Sequence, residues 1–93
     1  MKPSPIERRA LDRVGHLPEV QRLMLSQLEK GHAAYGGPID DCGYDRPRML
    51  SETGRETADL IVYLEALTCP AEITRAAHLI ASWLEVEMRR PTR

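Results

Sequence analysis

The sequence has no phenylalanine, and its only aromatic side chains are Tyr35, Tyr44, Tyr63 and Trp83. With so few rings, leucine, isoleucine, valine, methionine and alanine must fill the interior, which suits helix packing better than a β-sandwich. No segment alternates apolar and polar residues with the period of a strand. No apolar run approaches the length that spans a bilayer, so no membrane segment is expected. The cysteines, Cys42 and Cys69, form no CxxC pair and no zinc-like spacing with His16, His32 or His78. Pro3, Pro5 and charged residues stand where a secretion signal would carry an apolar run, so a reduced, cytoplasmic protein is expected. The net charge of -1 lacks the positive excess that drives bulk nucleic-acid binding, and nucleic acid is not expected as a partner. There is no glycine-rich phosphate loop, and Ser26, Ser51 and Ser82 sit in no nucleophile motif.

What remains is a helical chain of one-domain length. Ninety-three residues allow a single domain, 1–93, and an apolar content of 42% is enough for it to fold. So short a chain leaves much of its surface in water and gains from a partner that covers part of it. Lysine is confined to Lys2 and Lys30, while arginines gather at Arg8, Arg9 and Arg13 and again at Arg89, Arg90 and Arg93. Such clusters are ordinary at solvated helix ends.

The pattern predicts helices over about 5–14, 18–35, 48–68 and 70–90, an all-α, four-helix bundle-like domain completed by homo-oligomerisation. Ser4-Pro5-Ile6-Glu7 has the form of a capping box with proline in the first turn. In the second helix Val20, Leu23, Met24, Gln27, Leu28, Ala34 and Tyr35 recur at three- and four-residue steps, with Tyr35 expected in the core. Gly31 interrupts this helix and is a place for another helix to approach. Gly36-Gly37-Pro38 ends it, and an aperiodic loop follows in which Asp40 and Asp41 either offer metal oxygens or favour a turn. The third helix carries Leu50, Thr57, Leu60, Ile61, Leu64 and Leu67 as its apolar stripe. Ile73, Ala76, Ala77, Ile80, Trp83, Leu84 and Met88 form one broad face of the fourth, widened by Leu79 and Val86, with His78 beside it as a structural residue. A face that wide calls for contact on two sides, and a homodimer or homotetramer would supply it.

The chemistry is concentrated on the third helix. Glu52, Glu56 and Asp59 stand at steps of four and three and project from one side, with Tyr63 continuing the line. Like charges in a column repel, and no basic residue within the column answers them. Magnesium is a hard ion taken by carboxylate oxygens, water and substrate phosphates, so such a column can hold one. A solvated helix side accounts for the same spacing, and spacing alone favours it.

The run Arg55-Glu56-Thr57-Ala58-Asp59-Leu60-Ile61-Val62-Tyr63-Leu64 resembles the ExxD-containing segment of the MazG-like nucleotide pyrophosphohydrolases. The resemblance extends over roughly Pro18 to Met88. It implies an all-α dimer or tetramer that cleaves nucleoside triphosphates to monophosphate and pyrophosphate with Mg2+. Glu56 and Asp59 match the metal-binding motif directly. The family's second motif, ExxE on the preceding helix, is absent; Glu29-Lys30-Gly31-His32 reads ExxH in its place, and imidazole suits softer ions than magnesium. The resemblance therefore reaches Glu29 in part, while Glu52 and His32 are drawn in by geometry.

On this reading Glu29, Glu52, Glu56 and Asp59 hold the metal, and Glu52, Glu56 and Asp59 carry the catalysis. Lys30, Arg46, Arg48 and Arg55 are placed to meet phosphates, with Tyr63 beside the nucleotide substrate. The competing expectation is a small helical interaction or regulatory protein that binds a protein partner through the wide face of its fourth helix. Gly54 near the start of the acidic column and the missing ExxE favour it. A helix-turn-helix reading needs a basic recognition helix, and the third helix is too acidic for one.

Overall fold

The computed structural model describes residues 1–41, 43 and 45–91. Cys42, Tyr44 and Arg93, named above, lie outside these residues, as does Thr92. The described chain is all-helical and contains no strand: α1 (Pro5–Arg13), α2 (Pro18–Tyr35), a single 3-10 turn (Ile39–Asp41), α3 (Arg46–Ala66) and α4 (Ala71–Arg89). Its contacts sort into two compact units, Met1–Tyr44 and Asp45–Arg93.

In the first unit α1 begins as the sequence predicts. The Ser4 hydroxyl accepts from the Glu7 amide at 3.3 Å while the Glu7 carboxylate accepts from the Ser4 amide at 3.0 Å. Two N-terminal amides that the helix cannot satisfy are thereby bonded. Glu7 and Leu11 turn inward and are buried. The Gln21 side chain donates to the Leu11 carbonyl at 2.9 Å and ties α2 to the end of α1. α2 closes at Gly36, whose φ of 80° is the left-handed helix-stop conformation that favours glycine.

The apolar stripe expected along α2 is only partly covered. Met24 and Leu28 are half-buried, whereas Val20 and Leu23 are exposed and Tyr35, expected in the core, is 75% exposed. Val20 and Leu23 point away from the face that Gln21, Met24, Leu28 and His32 turn toward α1, and Tyr35 stands at the far end of an eighteen-residue helix whose neighbour has nine. A Cβ placed on Gly31 meets no described atom within 4 Å, so within the first unit the close approach expected there is not made.

The second unit is a hairpin of α3 and α4. Asp45 caps α3 by accepting from the Arg48 amide at 2.9 Å, which starts the helix slightly ahead of the expected boundary. Thr57 on α3 and Ala77 and Leu84 on α4 are buried between the helices. The Thr57 hydroxyl donates to the Thr53 carbonyl at 2.8 Å, so its burial leaves no unmet hydrogen bond. Gly54 lets α4 come close: a Cβ there would stand 2.7 Å from the Met88 methyl. The two helices join at Leu67–Pro70 through Thr68, whose φ is 49°. Leu60 and Leu67, expected in the α3 stripe, are 41% and 71% exposed, and His78 is exposed. A pair of helices can cover only one stripe of each, and these residues fall outside it.

Candidate functional site

At 3.6 residues per turn the side chains of α3 divide into three sectors. Leu50, Thr57, Ile61 and Leu64 point toward α4. Ser51, Gly54 and Ala58 line one flank, where a groove of about 1080 Å³ runs between α3 and α4 with Ala81, Leu84 and Met88 on its other wall. Glu52, Glu56, Asp59 and Tyr63 occupy the opposite flank, and none of them lines that groove.

The carboxylate column is therefore real as a helical row. Glu56 and Asp59 are exposed, Glu52 is half-buried, and Tyr63 is 64% exposed. No basic residue stands within the column, but Arg55 beside it reaches back to Glu52 at 3.0 Å, one turn along the same helix. Arg55 so holds the first acid of the row and also lines the groove. Arg46 is bonded to Glu87 of α4 at 2.8 Å, and Arg90 reaches the same carboxylate at 3.2 Å. Arg48 is exposed at the first turn of α3.

Glu29, Lys30 and His32 lie on α2 in the first unit. Glu29 and Lys30 are exposed. His32 is not free to serve as a ligand through Nε2, which meets both carboxylate oxygens of Glu7 at 2.8 and 2.9 Å. An ionised carboxylate has no proton to give, so Nε2 donates. Burial pushes the Glu7 carboxyl up, but the Ser4 amide and then His32 pull it down further, and it ends below its ordinary value. Asp40, weighed above as a metal or turn residue, instead accepts from the Ser4 hydroxyl and, at 3.3 Å, from the Ile6 amide. Its carboxyl is lowered chiefly by the Ser4 bond. Ser4, Glu7, His32 and Asp40 thus form one polar network around the start of α1. Half of it was legible as a capping box; the reach of twenty-five residues from Glu7 to His32 carries no local signal.

The donor set suits a hard ion, but its convergence is incomplete. Among the described residues no group of three or more histidine, cysteine, aspartate or glutamate side chains is close enough to hold a metal ion. A row at helical spacing presents its carboxylates side by side rather than around a point. Magnesium commonly takes one or two protein carboxylates and completes its shell with water and phosphate oxygens, and α3 offers that much.

Family models, curated proteins and solved structures give no match to this chain. What the site can do rests on its own residues.

Proposed function

We propose that the chain is a magnesium-dependent nucleoside triphosphate pyrophosphohydrolase of the MazG-like kind, working as a homo-oligomer. The observation that carries this reading is the row Glu52, Glu56 and Asp59 along one flank of α3. Two of its members stand open to solvent, and among the described residues neither Glu56 nor Asp59 is engaged by a hydrogen bond or ion pair. The ExxD-like run from Arg55 to Leu64 supports it by resemblance.

Bound at this row, the metal would neutralise triphosphate charge and acidify a water for attack on phosphorus. Glu56 and Asp59 hold oxygen donors one turn apart. Arg55, already against Glu52, supplies a guanidinium whose fork matches phosphate oxygens and can leave its present partner when phosphate arrives. Exposed Tyr63 offers a ring face at the end of the row. Glu29 and Lys30, expected beside the metal and the phosphates, belong to the first unit, and the reading rests on the α3 residues.

The test is pyrophosphate release from a panel of ribo- and deoxynucleoside triphosphates, with magnesium and with a chelator. Release that requires the metal supports the proposal; no release from any nucleotide by folded protein overturns it. The exposed apolar face of α4 favours a second reading, a partner-binding helical module without chemistry, and that outcome would leave it standing.

A further inference from the structure

The fourth helix holds more apolar surface than its hairpin uses. Ala77, Ala81 and Leu84 face α3, and yet Leu79, Trp83 and Val86 are 68%, 51% and 56% exposed, with Ile73 and Ile80 about half exposed beside them. The order of the exposed residues is specific. Glu72, Ala76, Leu79, Trp83, Val86 and Arg90 follow one another at alternating steps of four and three, the spacing of a coiled-coil seam. The middle of the seam is apolar. One end carries an acid and the other a base, and all of these residues are exposed.

That order is self-complementary under one operation. When a second copy is laid antiparallel along the seam, with the twofold axis level with Ala81, Trp83 meets the partner's Leu79 and Ala76 meets the partner's Val86. Glu72 then meets the partner's Arg90, and the same pair forms again at the other end. A parallel copy would set Glu72 against Glu72 and Arg90 against Arg90. A foreign partner requires none of this symmetry in the sequence of a single helix. Leu79, Trp83 and Val86 are each more than half exposed, a contiguous apolar surface that a second copy would cover.

We infer that two copies of this chain pair through α4, antiparallel, with Trp83 and Leu79 at the centre and Glu72–Arg90 pairs at both ends. Arg90 already reaches Glu87 at 3.2 Å through Nε, and its side chain is 68% exposed, so the rest of its guanidinium is open to a second carboxylate. The seam lies on the side of α4 turned away from the α3–α4 groove, which is the same flank of the hairpin that carries Glu52, Glu56 and Asp59. The pairing rests on the homo-oligomer proposed above and names its interface, while its readout, mass, is separate from nucleotide hydrolysis.

The experiment is sedimentation equilibrium of the full chain from micromolar to submillimolar concentration, with the emission of Trp83, the only tryptophan, as a second reading. The wild-type chain gives twice its 10.5 kDa mass and a blue-shifted emission that reverts on dilution. Leu79→Glu gives a monomer of unchanged helicity. Glu72→Arg and Arg90→Glu each raise the dimer dissociation constant about tenfold, because each sets like charges together at both ends of the seam. Glu72→Arg combined with Arg90→Glu restores it. A wild-type monomer at every concentration overturns the inference. So does a dimer indifferent to Leu79→Glu, or a double variant no better than the single ones.

Discussion

Glu7 shows how much a single side chain can organise in so small a unit. It is 3% exposed, closes the capping box with Ser4, and holds His32 from α2 by two contacts. Its folded carboxyl lies below the unfolded value of 4.5, so its ionised form is bonded better in the native state. The stability it contributes is fully present above pH 4.5 and is lost as the pH falls through the lowered folded value. Glu7→Gln, which keeps the shape and removes the charge, should cost about 1–3 kcal/mol at neutral pH. It should also flatten the fall in the urea midpoint below pH 4.5. A variant that unfolds with the wild-type pH profile would contradict this role. The sequence showed Glu7 as a cap residue because a cap is a local pattern. It showed His32 as a metal candidate because nothing local reveals a partner on another helix. The same limit hid Arg55 from the acidic column: the i,i+3 neighbour was there to be read, but a column drawn along one face leaves out the residue that reaches into it from the side.

Among the elements, the helix boundaries were the most legible feature, since Ser4, Pro5, Pro18, Gly36 and Pro70 each act on the backbone where they stand, whereas the Asp45 cap starts α3 ahead of its expected boundary. Burial was less legible. Periodicity reports which residues share a face, but not whether anything covers that face, and so Tyr35, Leu60 and Leu67 were expected inside and are outside. The junction of α3 and α4 gives a direct test of the described backbone. Thr68 is a β-branched residue at φ 49°, a conformation that costs such residues about 1 kcal/mol and costs glycine nothing. Thr68→Gly should therefore stabilise the chain by about 0.5–1 kcal/mol, read as a higher denaturant midpoint. In α2, Gly31→Ala should stabilise by a similar amount, about 0.5–1 kcal/mol, because the added methyl meets no atom within 4 Å and alanine loses less entropy in a helix. A loss of stability at Gly31 would mean that another helix does approach there.

For the molecule as a whole, two features dominate: a carboxylate row on α3 and a self-complementary seam on α4. The apolar interior is thin, with Leu11, Ala77 and Leu84 its only buried apolar residues among those described, which is why a covering partner matters to a chain of this size. The all-helical architecture could be read from the absence of strand alternation and the scarcity of rings. The site could be read only as a row of residue types, because spacing along one helix says nothing of what faces it. The proposed chemistry belongs to that row. Its most direct test compares pyrophosphate release by Glu56→Gln and Asp59→Asn with release by wild type and by Glu85→Gln, an exposed acid of α4 outside the row, each variant shown by circular dichroism to be folded. The predicted result is a loss of about 100-fold or more in the two α3 variants and an unchanged rate in the third. Equal release from all four proteins would contradict the assignment of the chemistry to α3.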